Sequence, residues 1–355
     1  MASILVEQIG SFLWIRLNRP KAKHALNTEM FHALEATLTY AKEDGRIRAI
    51  LLDSTTDDAF CAGGDIKEIR EGCIEPEKDH MALFELEYKV DAMVMDFPKP
   101  VVAYWRGITM GGGLGLSIDA DRVLAEEDAR LAMPETRLGI VPDVAMGYFF
   151  SRMERPLGLY LSMTGREFTG VDAAHFGWVD VLLPSGSHDE IVEKILSLDI
   201  AEATDEEILR AIDEAVNPEA ISAKKTALQE DLPEIKALFD EETPSAILEN
   251  LRKSPTEFSK KTLKTMEAVC PLSLGVCAVK YVLGKDWSRR ETFEKDLIAM
   301  DLGCTTKNAE EGIRTTLIDR EDTPTWQPSS VEEVDLLALE MLFREGEDVL
   351  RWHFR

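Results

Sequence analysis

The chain has 355 residues, 45% of them hydrophobic, and its 66 acidic against 40 basic side chains give a formal net charge of −26. That length supports one large core, or one domain with an annex. The charge argues against a nucleic-acid groove and against an anionic membrane surface, and predicts a soluble, self-repelling protein. Cys61, Cys73, Cys270, Cys277 and Cys304 form no C-x-x-C pair. Neither a disulfide framework nor a zinc site is predicted, and a reducing compartment is the simpler reading. The six histidines form no H-x-x-x-H pair, so no metal is expected. Residues 1–7 lack the pattern of a secretory or transit signal, and no stretch is apolar for the length of a membrane span. A cytoplasmic location is the expectation.

Alternation in Ile4–Ile9 and Phe12–Leu17 around Gly10 predicts a β-hairpin. Asn27 or Thr28 then caps a helix carrying Met30, Leu34, Leu38 and Ala41, which ends near Gly45. Ala49–Leu52 reads as a buried strand. A helical stretch over Lys78–Met95 is stopped by Pro98 and Pro100. Val101–Trp105 is the next strand, followed by a glycine turn at Gly111–Gly115 with a short helix. Two further strands are predicted at Arg122–Ala125 and Arg130–Ala132. This alternation predicts an α/β fold of repeated β-β-α units. From about residue 187 the pattern becomes helical, with Ile208, Ile212, Val216, Leu232, Ile235, Leu238 and Phe239 at helical spacing and breaks near Pro324 and Pro328. The expected organisation is an α/β core over 1–186 with a mostly helical region over 187–355 packed on it, extending through Leu350. Its acidic bias reads as a solvated helix face.

Two glycine-rich turns carry the chemistry. Phe60-Cys61-Ala62-Gly63-Gly64-Asp65 and Met110-Gly111-Gly112-Gly113-Leu114-Gly115 each follow a predicted strand. Glycine permits positive φ and close backbone approach, so bare N–H groups can meet a ligand oxygen. Neither segment is a dinucleotide fingerprint or a phosphate loop, since G-x-G-x-x-G spacing and G-K-[ST] are both absent. No G-x-S-x-G elbow occurs either. One N–H from each turn suffices for an oxyanion hole. Glu135 and Asp143 follow, eight residues apart, as candidate acid/base or nucleophilic groups.

Phe60-Cys61-Ala62-Gly63-Gly64-Asp65-Ile66, Lys99-Pro100-Val101-Val102-Ala103 and Gly107-Ile108-Thr109-Met110-Gly111-Gly112-Gly113 together resemble the enoyl-CoA hydratase/isomerase, or crotonase, superfamily. The resemblance implies the crotonase-like α/β fold, an acyl-CoA thioester as substrate rather than a separate cofactor, and oxyanion donors at Gly64 and Gly112. Met133-Pro134-Glu135-Thr136, Gly139-Ile140-Val141-Pro142-Asp143-Val144, Cys270-Pro271-Leu272-Ser273-Leu274, Glu311-Gly312-Ile313-Arg314 and Pro324-Thr325-Trp326-Gln327-Pro328 are similar to the 3-hydroxyisobutyryl-CoA hydrolase branch. A hydratase carries a second glutamate three residues past the second donor glycine, where this chain has Gly115. A hydrolase instead pairs the retained Glu135 with an aspartate at Asp143.

On that resemblance the reaction is hydrolysis of a short 3-hydroxyacyl-CoA, with 3-hydroxyisobutyryl-CoA foremost. Gly64 and Gly112 stabilise the oxyanion, Glu135 attacks or activates water, and Asp143 orients water or the substrate hydroxyl. Lys21, Lys23, Ala25, Ala62, Gly63, Asp65, Ile66, Lys67 and Gly111 form the substrate and CoA contacts, with the three lysines as candidates for the phosphates. Arg19–Leu26 looks like a CoA-contacting loop in which His24 replaces the usual asparagine, and Arg314 is expected to anchor the helical region to the core. Ala145-Met146 stands where the branch often has glycines, and Met146 would narrow the acyl pocket. The alternatives are an enoyl-CoA hydratase or isomerase, and a non-catalytic crotonase-fold scaffold or RNA-associated protein. Neither nucleic acid nor membrane is expected as a partner. A homo-oligomer is open, either of the superfamily's trimer or hexamer type or smaller.

Overall fold

Alternating apolar residues close the first hairpin: β1 (Ile4–Ile9) and β2 (Phe12–Leu17) pair antiparallel, with Ile9 opposite Phe12. The computed structural model describes residues 2–75 and 77–346. Asn27 caps α1 (Thr28–Glu43) by accepting a hydrogen bond from the Met30 amide at 3.1 Å. The helix buries Met30, Phe31, Leu34, Leu38 and Ala41.

The β-β-α repeat has a clear structural meaning. It comprises β3 (Ala49–Ser54), β4 (Ala59–Cys61) and the helices α2 (Ile66–Ile74) and α3 (Ala82–Met95), then β5 (Val101–Trp105), β6 (Ile108–Met110) and α4 (Gly112–Gly115), then β7 (Arg122–Glu126) and β8 (Arg130–Ala132). The first strand of each pair joins one sheet and the second joins another. With β9 (Phe168–Thr169) and β10 (Val181–Leu183), the sheets run β1-β2-β3-β5-β7-β10 and β4-β6-β8-β9. From β2 to β10 the larger sheet is parallel. Its inner strands β3 and β5 are buried along their whole length, which explains their unbroken apolar runs.

The chain forms two compact units. The first comprises Met1–Gly64, Leu86–Leu131 and Glu167–Thr226. Within it the helices His188–Leu196 and Asp205–Val216 lay Ile191, Ile195, Ile208, Ile212 and Val216 into one core with Phe12, Leu51, Val102 and Leu124. The second comprises Asp65–Glu85, Ala132–Arg166 and Ala227–Arg355. It contains α2, α5 (Met146–Arg152) and α6 (Arg155–Thr164). Its centre is the helix Pro271–Leu283, buried along nearly its whole length and packed on α5 and α6.

The helix expected from Lys78 begins at Ala82 instead. Lys78 is drawn into ion pairs with Glu71 and Glu75 at 2.9 and 3.1 Å, and Asp79 caps the Met81 amide at 2.9 Å. The last described helix spans Leu336–Glu345, and Leu350 lies outside the described residues. All five cysteines are free thiols, yet Cys73 and Cys304, far apart in sequence, bring their sulfurs to 2.8 Å. Among the described residues no single helix is long and apolar enough to cross a membrane.

Candidate active site

In the first unit the two glycine turns meet. Gly63 follows β4 with φ +101°, and a Cβ added there would stand 3.2 Å from the Met110 carbonyl oxygen and 3.5 Å from the Gly112 nitrogen. A Cβ on Gly112 would stand 3.3 Å from the Gly64 nitrogen and only 2.0 Å from Glu87 Oε1. Gly63 is needed because one backbone lies against the other at positive φ, and Gly112 because the Glu87 carboxylate fills the space a side chain would take. The parallel strands β4 and β6 hold them in place, with Ala59 beside Ile108 and Cys61 beside Thr109. Predicted donors Gly64 and Gly112, with Gly63 and Gly111, share one small region. Cys61 sits beneath them with its thiol pushed up to about 12 by burial, so it stays protonated and is no nucleophile at neutral pH.

The Arg19–Leu26 segment runs along the same turn. The Leu26 amide donates to the Gly63 carbonyl at 2.8 Å, and the Ala62 amide donates to the Lys23 carbonyl at 2.9 Å. This places Lys23 and Ala25 beside Ala62 and Gly63. Lys21 is exposed, while the Lys23 ammonium pairs with the Asp58 carboxylate. His24 is fully buried. Its Nδ1 accepts from the Arg19 amide at 3.0 Å, so Nε2 carries the proton and donates to Thr56 Oγ1 at 2.8 Å. Burial is the main cause that pulls its pKa down to about 4, against an opposing pull from Asp58. A neutral, fully bonded imidazole inside the loop is a brace for Arg19–Leu26.

In the second unit, Glu135 opens the short 3₁₀ turn Glu135–Leu138, and Asp143 lies in the loop after it. Each carboxylate is only 6% exposed, a burial that ordinary surface acids avoid. Thr136 pins the turn from both sides. Its hydroxyl donates to the Met163 carbonyl at 3.0 Å, and its own carbonyl accepts from the Cys270 amide at 3.0 Å. Gly139 follows at φ +75°, where an added Cβ would stand 2.1 Å from the Asn308 carbonyl oxygen. Gly312, of Glu-Gly-Ile-Arg, lies as closely on the Leu138 backbone, with 2.3 Å from its hypothetical Cβ to the Leu138 carbonyl carbon. The C-terminal motifs thus build the seat of the Glu135 turn. In the same unit Asp65 caps α2, accepting from the Lys67 amide at 3.1 Å, with Ile66 half-buried and Lys67 exposed.

Gly115 lies buried within α4 and offers no side chain. Met146 is completely buried as the first residue of α5. Arg314 does not anchor the helical region to the core, as its sequence context suggested. Its guanidinium instead collects Glu311, Asp319 and Asp322 at 2.7 to 2.9 Å, all within its own stretch of chain. Sequence reasoning passed over Glu87. It is 3% exposed and sits against Gly112, and Asp91, one turn later on α3, is 1% exposed. The available signal was two acids four residues apart on the same stripe as the apolar Val90 and Val94. Among the described residues no group of three or more His, Cys, Asp or Glu side chains is placed to hold a metal ion.

A family model for enoyl-CoA hydratase/isomerase matches residues 12–343. The zebrafish (Danio rerio) mitochondrial 3-hydroxyisobutyryl-CoA hydrolase is 32% identical over 334 residues, 94% of this chain and 87% of the relative. The human (Homo sapiens) protein of the same name is 31% identical over 93% of this chain and 86% of its own length. Among solved structures, a carnitinyl-CoA dehydratase from Mycobacterium thermoresistibile superposes with a TM-score of 0.86 at 26% identity, covering 97% of this chain and 96% of that one. An enoyl-CoA hydratase from Rhodobacter sphaeroides gives 0.85 at 26% identity, with 98% of each chain covered. The α/β architecture of short strand pairs with a helical C-terminal region is therefore the crotonase fold. By family model, by relatives and by structure, the chain belongs to the enoyl-CoA hydratase/isomerase family and groups within it with the 3-hydroxyisobutyryl-CoA hydrolases.

Proposed function

We propose that the protein hydrolyses a short 3-hydroxyacyl-CoA thioester, 3-hydroxyisobutyryl-CoA foremost, to the free acid and CoA, a reaction of the valine-catabolism type. One observation carries this choice over hydration. The chain has Gly115 where a hydratase holds its second acid, and it buries two carboxylates eight residues apart, Glu135 and Asp143. The activity for which the relatives are named supports the same reading.

In this reading the Gly64 and Gly112 amides donate to the thioester oxygen as it gains charge. One such donor contributes roughly 3–4 kcal/mol to the transition state. The Glu135 carboxylate attacks the carbonyl carbon and expels the CoA thiolate, leaving an acyl–glutamyl anhydride. Water oriented by Asp143 then attacks the glutamyl carbon of the anhydride, which breaks its bond to the acyl carboxylate, releases the acid and restores Glu135. Direct activation of water by Glu135 is the competing route. Repeated turnover in ¹⁸O-water separates them, because only the covalent route leaves label in the Glu135 carboxylate. Glu87, a buried carboxylate against Gly112, serves as acceptor for the substrate's 3-hydroxyl.

Lys21, Lys23 and Lys67 meet the CoA phosphates, and the segments around Ala25, Ala62, Gly63, Asp65, Ile66 and Gly111 line its path. No cofactor besides the CoA thioester takes part, and neither nucleic acid nor membrane is a partner. The proposed location is the cytoplasm; the five free thiols fit a reducing compartment in general, and the vertebrate relatives are named mitochondrial. A trimer or hexamer is the proposed assembly, read by light scattering.

Glu135→Gln is the direct test. It should lower thiol release from 3-hydroxyisobutyryl-CoA by at least roughly 10³-fold while leaving CoA binding within a few-fold. Full turnover by this variant refutes the assignment. Hydration is favoured by the dehydratase and hydratase names of the structural neighbours, and enoyl absorbance measured on crotonyl-CoA in parallel with thiol release separates the two reactions.

A further inference from the structure

The loop that carries Asp143 is held in an unfavourable conformation by a buried ion pair. Val144 and Ala145 have φ values of 47° and 61°, the left-handed region in which side chains other than glycine's are strained. Such residues cost on the order of 1–3 kcal/mol each and persist only where their surroundings over-determine them. Both are at most 1% exposed, and Ala145 starts α5 without any side-chain cap.

Two side chains from the C-terminal helices impose this conformation. Lys280, on Pro271–Leu283, donates from Nζ to the Pro142 carbonyl at 2.6 Å. Asp296, on Arg289–Thr305, accepts from the Ala145 amide at 2.9 Å through Oδ2. The two bind each other, Nζ to Oδ1, at 2.5 Å. Lys280 is 4% exposed and Asp296 fully buried, and burial raises the Asp296 pKa while Lys280 opposes the rise. The pair thus grips the backbone one residue before Asp143 and two residues after it. Gly147 gives the lysine its path, since a Cβ there would stand 3.0 Å from Lys280 Cε.

A buried ion pair is a poor source of net stability, because desolvation offsets most of the attraction and an apolar pair of similar volume often does better. Strain and a buried charge pair together, around a single acid, call for another role. We propose that Lys280 and Asp296 are positioning residues for Asp143: by holding Pro142 and Ala145, they fix the left-handed turn that sets where the Asp143 carboxylate stands. The proposal rests on the catalytic reading of Asp143 given above.

The test compares two charge-free replacements of the pair, assayed by thiol release from 3-hydroxyisobutyryl-CoA. Lys280→Gln with Asp296→Asn preserves a donor for Pro142 and an acceptor for Ala145. Lys280→Met with Asp296→Leu removes both at similar volume, and is expected to fold because it buries no lone charge. The amide pair should keep kcat within about threefold of wild type. The apolar pair should lose 10- to 100-fold in kcat with KM within threefold and an unchanged melting temperature. Adding Ala145→Gly to the apolar pair should restore at least a third of the lost activity on a logarithmic scale, since glycine takes positive φ without help. Equal kcat for the two folded pairs overturns the proposal, as does a glycine variant that restores melting temperature but not kcat. If the apolar pair does not fold, Lys280→Gln with Asp296→Leu, which is charge-free and removes only the acceptor for the Ala145 amide, provides the comparison with and without Ala145→Gly. Asp143→Asn separates the two levels. If it turns over normally, the reading of Asp143 fails and the proposal falls with it. If it is inactive while the apolar pair is fully active, the positioning role alone falls.

Discussion

At Gly112 a single added methyl group would land 2.0 Å from Glu87 Oε1. Gly112→Ala should therefore displace either the buried carboxylate or the amide it adjoins. If Gly112 is the oxyanion donor proposed above, misplacing it should cost roughly 10²–10³ in kcat, checked by steady-state thiol release; activity within threefold of wild type contradicts the arrangement. His24 makes a prediction of the opposite kind, about pH. Its folded pKa is pulled from 6.5 down to about 4 by burial, so the unfolded chain takes up its proton first. The contribution to stability is fully present above pH 6.5 and is lost as pH falls through about 4. His24→Gln should flatten the decline in unfolding free energy across that window, measured by urea titration at a series of pH values. An unchanged slope would show that another group sets it. Both residues lie in segments that the sequence singled out, Gly112 through its neighbours in the glycine run and His24 as a loop histidine. The buried neutral state of His24 was not legible, because desolvation depends on everything packed around the ring.

Elements with strong local signals formed as read. The Gly10 hairpin, the Asn27 cap and the strands at Ala49 and Val101 each rest on residues within a few positions of one another. Asn27→Ala, which removes the acceptor for the Met30 amide, should cost about 1 kcal/mol of stability. A denaturant midpoint unchanged from wild type would show that the cap contributes nothing. Local signals fell short at three places, and at the second and third of them the decisive partner was remote. The start of α3 moved from Lys78 to Ala82 because Lys78 paired with Glu71 and Glu75. Glu87 and Asp91 were passed over in the sequence, and only tertiary packing shows that both are buried and that Glu87 lies against Gly112. The Glu135 turn is the third instance. Its acid was legible, but its seat depends on Gly312 and Cys270, more than a hundred residues later.

Over the whole molecule, the division into compact units ignores sequence order. Chain segments from three separate stretches make up each unit, so residues as late as Val216 complete a core begun at Phe12. Ile212, fully buried there, tests this directly. Ile212→Ala should cost about 2–5 kcal/mol, read as a drop in the urea midpoint, whereas a loss below 1 kcal/mol would place the helix Asp205–Val216 outside that core. By itself, the sequence determined the α/β class, the first hairpin, the strands at Ala49, Val101, Arg122 and Arg130 and the two glycine turns, because periodicity, capping and motif spacing are local properties of the chain; it did not determine β4 or β6. Only the tertiary structure decided which strands of each pair share a sheet, that Glu87 faces Gly112, and that Lys280 and Asp296 grip the Asp143 loop. Each of those depends on burial and close approach between segments far apart in sequence, and no local pattern encodes which distant group will fill the space beside a given residue.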